Sequence, residues 1–347
     1  MTERKMATIR RIDSIGPIEG ADAIEVATVG GWKVVIKKGE FTPGQLAVYL
    51  EIDSWVPSSI GSFLTKPGHF PKVYEGVEGE KLRTIKLRGQ LSQGLLLPMS
   101  VMTDNGVIAQ VLKEDEDVSQ ALGIVKYEAP ISAQLAGLVR GNFPSGIPKT
   151  DQERIQNLSK ELQTWIDYEF SWEVTEKLDG SSCTMYLDRD GEFHVCSRNL
   201  DLKRDENNSF WKMAIDSNVE EMMKSYDLFG CAVQGELIGE GIQGNPYKIK
   251  GQQFFVFDLY DSRLGEYVSP ADCLMYCQFL VLKHVPIISP NMILSNLETV
   301  DCLLKFAEGF SVLNGTNPRE GVVFKHNRPG GKSFKAISNA FLMKQKD

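Results

Sequence analysis

The sequence holds only four histidines, no Cys-x-x-Cys pair, no excess of positive charge and no apolar run of membrane-spanning length. Each absence removes a class of protein. A span needs roughly 20 consecutive apolar residues, and the first residues, Met1-Thr2-Glu3-Arg4-Lys5, lack the apolar stretch of a secretory signal. The expectation is an intracellular protein, cytoplasmic with the nucleus left open, and without a membrane partner. The six cysteines (Cys183, Cys196, Cys231, Cys273, Cys277, Cys302) all fall in the second half and lack zinc-site spacing. Inside a cell such thiols stay reduced. Cys273 and Cys277 share a helix face, as core residues do. His69, His194, His284 and His326 show neither triad nor metal spacing and read as structural or surface residues. A net charge of −8 argues against coating nucleic acid by bulk electrostatics. It leaves room for a local basic track, and Lys66, Lys72, Lys81, Arg83, Lys86 and Arg88 lie close together in sequence, with a solvated strand face as the bland alternative.

What is present is ordinary globular material: 347 residues, 42% apolar and 24% charged, enough for two or three domains with real cores. The first third reads as short strands, at Val26 to Val29, Lys33 to Lys37, Leu46 to Ile52, Leu82 to Leu87 and Gly94 to Pro98. Gly30-Gly31, Pro43-Gly44 and Arg88-Gly89 supply turns between them. Short strands at this spacing predict a small barrel, and the OB-fold is a frequent nucleic-acid-binding barrel. Trp32 and Trp55 are core candidates first and base-stacking candidates second. Ala129 to Pro148, rich in glycine and proline, reads as a connection. The pattern then predicts a helix over Asp151 to Phe170, strands at Met185 to Leu187, Phe193 to Cys196, Cys231 to Ile238 and Phe254 to Tyr260, and helices over Phe210 to Tyr226 and Pro270 to Val281.

Chemistry concentrates at Glu176-Lys177-Leu178-Asp179-Gly180-Ser181. A lysine amine becomes a nucleophile once it loses its proton. A carboxylate two residues on can hold a hydrated cation beside it, and Gly180 lets the chain turn tightly. Alone, Lys-x-Asp-Gly arises by chance in roughly one chain of this length in ten. Further polar clusters follow, each on a strand or turn: Ser197-Arg198-Asn199, Gln234-Gly235-Glu236-Leu237, Phe257-Asp258, Arg319-Glu320-Gly321-Val322-Val323-Phe324-Lys325 and Ser333-Phe334-Lys335. Acids and lysines inside apolar strands are costly to bury unless something binds them.

In that order the clusters resemble the motif set of covalent lysine nucleotidyltransferases, and Ser197-Arg198-Asn199 resembles RNA ligases more than DNA ligases or capping enzymes. Gly31-Trp32-Lys33, Lys37-Lys38-Gly39-Glu40-Phe41, Leu50-Glu51-Ile52-Asp53-Ser54, Leu87-Arg88-Gly89 and Ser92-Gln93-Gly94-Leu95 extend the resemblance to RNA-repair ligases that carry the OB domain first. The resemblance implies an α+β chain, with an amino-terminal OB-type β-barrel followed by a nucleotidyltransferase domain of antiparallel sheets with flanking helices. The expected boundaries are 1–125 for the OB domain, 126–144 for a linker and 145–347 for the catalytic domain.

It also implies an ATP-dependent ligase that joins RNA 3′-hydroxyl and 5′-phosphate ends through lysyl-AMP, a nicked duplex being one candidate substrate, with no obligate protein partner. Lys177 is the implied nucleophile. Glu176, Arg198 and Phe257 are implied at adenine, ribose and base face. Asp179, Glu236 and Glu320 would hold Mg2+ or Mn2+ with its water shell, Glu236 also lying against the nucleotide. Lys325 and Lys335 would grip the α-phosphate. Lys149 and Arg154 resemble a segment that meets the outer phosphates, with a plain helix N-terminus as the alternative. Two positions depart from the pattern: Ser333 stands where related ligases carry a basic residue, and Ser182 where some carry asparagine. Three other readings stay open: a DNA ligase, a guanylyltransferase-type enzyme and a non-catalytic RNA-binding protein regulated by ATP.

Overall fold

A computed structural model describes residues 4–108, 111–128 and 137–344. The described residues form two compact units, one of those up to 128 with 156–160, the other of 137–155 with 161–344. No helix among the described residues is long and apolar enough to cross a membrane.

In the amino-terminal unit, short antiparallel ladders pair by alternation. Leu46–Leu50 lies between Ala7–Arg11 and Leu95–Leu97, and Ser14–Pro17, Ile24–Val29 and Trp32–Lys37 form a meander. Ser54–Pro57 lies between Val125–Lys126 and Val77–Lys81. Only Ile85–Leu87 of the expected strand from Leu82 pairs. It turns back through Arg88 and Gly89, both at positive φ (49° and 85°), into Gln90–Ser92, a turn that matches strand twist. Both tryptophans belong to the core rather than to a stacking surface. Trp32 packs on Tyr49 and donates from Nε1 to Asn157 at 2.7 Å, and Trp55 stacks on Tyr127. Gly94 holds φ 125°, and a Cβ there would meet the Tyr49 ring at 2.3 Å. The tyrosine hydroxyl donates to the Gln93 carbonyl beside it.

The second unit is two facing sheets. One, of eight strands, runs Val139–Asn142, Leu200–Leu202, Phe193–Cys196, Ser181–Leu187, Cys231–Gly239, Gln252–Asp261 and Glu266–Tyr267, with Lys283–His284 added beside Gln252–Asp261. The other, of five, runs Glu153–Arg154, Ser333–Ile337, Gly321–His326, Ser171–Lys177 and Ile287–Ile293. Helices Ser209–Asp216, Val219–Ser225 and Pro270–Phe279 bury Trp211, Met223, Cys273 and Cys277 against the outer face of the larger sheet. Helix Ser159–Asp167 presses Trp165 onto Trp172 and Phe334 on the smaller one. Between the sheets lies a small apolar layer of Leu178, Ile238, Tyr247, Phe255 and Val285.

Three elements differ from the sequence pattern. The segment expected to begin a helix at Asp151 first forms the strand Glu153–Arg154, paired parallel with Phe334 and Lys335, and the helix starts at Ser159. That long-range pairing leaves no local periodicity to read. The helix expected over Phe210 to Tyr226 breaks at Asn218, which takes a left-handed φ of 50°. Within the glycine- and proline-rich connection, Val139–Asn142 is an edge strand on Leu200–Leu202, while its residues 129–136 lie outside the described part.

Candidate active site

Lys177 ends the strand Ser171–Lys177, and strand alternation sorts its neighbours. Register places Glu173 opposite Lys325, Thr175 opposite Val323 and Lys177 opposite Gly321, while Val323 pairs with Lys335. Lys177, Lys325 and Lys335 therefore share the inner face. Across the gap the larger sheet contributes Glu236 and Ser182, paired in register, with Asp258.

Three carboxylates surround the Lys177 amine. Glu320 lies 2.7 Å from Nζ. Burial alone would lower the lysine pKa, but the charges of Glu320, Glu236 and Asp179 outweigh it and raise it, so the side chain rests as an ammonium. The acids bear the reciprocal strain. Burial, and next the Glu320 charge, pushes Asp179 up to about 6. Burial pushes Glu236 up to about 8, with Lys177 opposing and the other two acids reinforcing. Acids held this far above their ordinary range have room for more positive charge than one lysine provides. An oxygen-only donor set of this kind suits a hard cation such as Mg2+ or Mn2+.

Gly180 earns its place by close approach rather than by a left-handed turn. A Cβ there would sit 2.5 Å from the Leu237 carbonyl and 2.9 Å from the Glu236 side chain. The chain between Lys177 and Ser181 thus lies directly on the strand that carries Glu236. The Tyr247 hydroxyl accepts from the Asp179 amide at 2.6 Å and fixes the same loop.

Glu176 points to the opposite side of the strand from Lys177, where one carboxylate oxygen accepts from the Val312 amide at 2.7 Å. The other oxygen is buried with no hydrogen-bond partner among the described residues, an open acceptor. Phe257 sits at a register shift: Gln234 pairs with Asp258 and Gly235 with Val256, leaving Phe257 unpaired. Bulges of this kind re-aim a side chain. Lys325 Nζ lies 5.7 Å from the Phe257 ring centre and binds the Phe257 carbonyl, and it meets Asp258 at 2.8 Å. Lys335 Nζ meets Asp151 at 2.7 Å, and Arg198 reaches the other oxygen of Asp151 at 3.5 Å. A carboxylate held between two cations marks a place suited to an anion.

The remaining expected residues surround this core. Arg154 is buried beside Lys335 on the paired strand, directly ahead of the 3-10 turn Ile155–Leu158. Lys149 is exposed, between Pro148, whose carbonyl accepts from Gln234, and Thr150, whose hydroxyl bonds Ser182 at 2.7 Å. The Ser182 departure therefore ties the 148–150 segment to the larger sheet. Ser333 lies in register with Lys325. The sequence marked Asp258 within the Phe257-Asp258 cluster but gave it no role, and it gave Asp151 and Glu173 no place in the site. Glu173 sits inside an apolar strand, the signal that could have marked it. Tyr247 carries no signal, since it comes from a loop of Gly244-Asn245-Pro246.

Away from the cleft, Asp188, Glu192 and His194 each bring one ligand atom within 4.8 Å of the others, which sequence spacing did not suggest. Their charges are already met: Arg140 pairs with Glu192 at 2.5 Å, and His194 Nδ1 bonds Asp201 at 2.9 Å.

A lysine amine among acids, with further lysines on the same face between two mainly antiparallel sheets, defines a nucleotidyltransferase-type enzyme. Comparison with known families matches residues 6–99 to an OB-fold domain and residues 170–337 to RNA ligase. Among solved structures, a mutant of the Naegleria gruberi RNA ligase with AMP and Mn is 43% identical, with a TM-score of 0.88 and 99% of each chain covered. The same enzyme with PPi is 44% identical at a TM-score of 0.88, again over 99% of both chains. Another of its mutants, with ATP and Mn, is 43% identical at 0.88, covering 99% of this chain and 100% of that one. No curated protein matches. The chain belongs to the RNA ligase family, as an ATP-dependent RNA ligase with an amino-terminal OB-fold domain.

Proposed function

We propose that this ligase joins RNA 3′-hydroxyl and 5′-phosphate ends through a lysyl-AMP on Lys177, with residues 145–347 carrying the covalent chemistry and residues 1–125 engaging the RNA. The observation that carries the proposal is the Lys177 ammonium among Glu320, Glu236 and Asp179. The N. gruberi structures with ATP and AMP, each with Mn, supply the substrate and the cation class.

Asp179, Glu236 and Glu320 would hold the divalent cation through its waters. When bound, it supplies positive charge that disfavours the lysine ammonium and neutralises phosphate oxygens. The deprotonated Lys177 amine attacks the ATP α-phosphorus. The N–P bond forms as the bond to the bridging oxygen breaks, and pyrophosphate leaves. Lys325 and Lys335, oriented by Asp258 and Asp151, stabilise charge growing on the α-phosphate. Arg198 would meet the ribose, and Phe257 would stack on the base. The open acceptor of Glu176 suits the adenine amino group. Lys149 and Arg154 would meet the outer phosphates. An oxygen of the RNA 5′-phosphate then attacks the lysyl-AMP phosphorus, which returns Lys177. Last, the 3′-hydroxyl attacks the 5′-phosphorus, forming the phosphodiester and releasing AMP. Little beyond alignment and charge is asked of the protein.

Incubation with α-labelled ATP and Mg2+ is expected to label the protein through an acid-labile, alkali-stable bond, and Lys177→Ala or Lys177→Arg to abolish the label. Label retained in both variants moves the nucleophile elsewhere. Labelling by GTP instead of ATP would mark a guanylyltransferase. ATP binding with neither adduct nor sealed product would mark a non-catalytic regulator. Nicks with ribose or deoxyribose at the 3′-hydroxyl separate RNA from DNA end joining: ribose is expected to be required, and equal sealing overturns that.

A further inference from the structure

Glu173 is a buried carboxylate that the ligation chemistry does not use. It sits in the middle of the apolar strand Ser171–Lys177, 4% exposed, and one of its oxygens has no hydrogen-bond partner among the described residues. A charge in such a place is costly unless an opposite one lies close. Strand register supplies it. Glu173 is directly opposite Lys325 on the inner face, and side chains opposed in this way are neighbours. Lys325 already meets Asp258, from the facing sheet, at 2.8 Å. One ammonium therefore faces two carboxylates, one from each sheet, and can balance only one of them.

A second positive charge is available from His284, in the strand Lys283–His284 beside Val256, two residues ahead of Asp258. His284 Nδ1 lies 2.8 Å from the Val285 carbonyl. A carbonyl only accepts, so Nδ1 carries a hydrogen and the buried Nε2 is the position left for a second proton. Burial disfavours the imidazolium, yet the Cys273 sulfur and the Glu173 charge outweigh it and raise the His284 pKa above the ordinary 6.5. Burial raises Glu173 as well, against the charges of His284 and Lys325. The other titratable groups here add no charge to the cluster. Burial raises the Tyr267 phenol, which donates to Gln234 at 3.1 Å. Hydrogen bonding to Cys277, and then burial, holds the Cys273 thiol well above its ordinary range. Lys283 is exposed and reaches Gln253 at 2.8 Å.

We propose that Glu173 and His284 are positioning residues for Lys325 and share one proton between them. With that proton present, on either group, they and the Lys325–Asp258 pair sum to zero charge. When it leaves, an uncompensated carboxylate remains opposite Lys325. That carboxylate draws the ammonium away from the α-phosphate and opposes the negative charge growing there. The effect on catalysis rests on the ligase reading of Lys325, whereas the shared proton stands on the cluster itself. Groups coupled in this way titrate as a pair, and removing one of the two proton sites weakens the hold on the proton.

Single-turnover formation of lysyl-AMP at saturating ATP and Mg2+ tests the proposal, followed across pH in full-length wild type, Glu173→Gln and His284→Gln. Deprotonation of Lys177 acts on all three alike, so ratios of rates isolate the pair. The ratio of Glu173→Gln to wild type is expected to rise about tenfold as pH passes through the pair's titration, a part of the roughly 10²–10³ that a whole transition-state donor contributes. In His284→Gln the decline relative to Glu173→Gln is expected to begin at lower pH than in wild type. A ratio that stays constant with pH overturns the proposal, because a merely structural role changes the rate by one factor throughout. Nitrogen NMR of wild type, with its four histidines, reads the same proton without a substitution. His284 Nε2 is expected to titrate above 6.5, and the absence of such a titration also overturns the proposal. Lysyl-AMP formed with a constant ratio counts against the shared proton alone. A His284 titration beside no lysyl-AMP counts against the ligase reading.

Discussion

Lys325 and Asp258 meet at 2.8 Å with side chains only 8% and 13% exposed. Burial raises Asp258, while on Lys325 burial is outweighed by the Asp258 charge and the lysine is held up. Such a pair adds little to stability in total, yet removing one member strands the other charge in the protein, a loss of about 3–5 kcal/mol. Asp258→Asn, nearly unchanged in shape, is therefore expected to lower the unfolding free energy, read from urea denaturation, by an amount in that range. It is also expected to slow adenylylation more than it weakens ATP binding, since Lys325 acts on charge that grows in the transition state. A variant as stable as wild type would mean that Lys325 finds another partner or sheds its proton. His194 gives a prediction in pH. The Asp201 hydrogen bond raises its pKa above the ordinary 6.5, so the folded state binds the proton more tightly than the unfolded chain. The stabilisation is complete below 6.5 and is lost as pH rises through the folded value. Denaturation series across that window are expected to show this fall in wild type and to lose it in His194→Gln.

Among elements, the segment Lys177 to Ser181 joins the two sheets, and its fit depends on the missing side chain of Gly180. With a carbonyl at 2.5 Å from the would-be Cβ, Gly180→Ala has to push the loop off Leu237. Overpacking of this kind costs about 1–3 kcal/mol. Because the displaced loop carries both Lys177 and Asp179, adenylylation is expected to fall by a larger factor than stability alone explains. Thermal unfolding beside single-turnover labelling separates the two, and parallel small losses in both would defeat the argument. The strand motifs Glu320 to Lys325 and Gln234 to Leu237 were legible in the sequence because alternation and glycine flanks mark them. Their arrangement was not. The Phe257 bulge depends on a register shift between distant strands, and the strand Glu153–Arg154 exists only because Phe334 and Lys335 lie beside it. Tyr247 reaches Asp179 across 68 residues, a contact without a local pattern. Gly180 was read as a turn-former, and the structure gives it a packing reason instead.

At the scale of the whole molecule, a chain of net charge −8 has to bind a polyanion. Bulk attraction is ruled out, so binding has to come from a local surface whose charges neutralise individual phosphates. The amino-terminal unit carries candidate residues for it. Lys66, Lys72, Lys86 and Arg88 are exposed there, among exposed apolar side chains that include Phe70 (92%) and Val73 (66%). Lys81 is less suited, since it pairs with Asp53 at 3.1 Å. Lys86 lies in the strand Ile85–Leu87 and Arg88 in the hairpin turn that follows it. If these two side chains each neutralise one phosphate, Lys86→Ala with Arg88→Ala lowers the dependence of log K on log salt by roughly 2. RNA affinity falls most at low salt and converges on wild type as salt rises. Lysyl-AMP formation, which uses none of these residues, is expected to be unchanged in the same variant. Filter binding across a salt series checks the slope. A variant with weaker binding but an unaltered slope would place the phosphate contacts elsewhere on the chain.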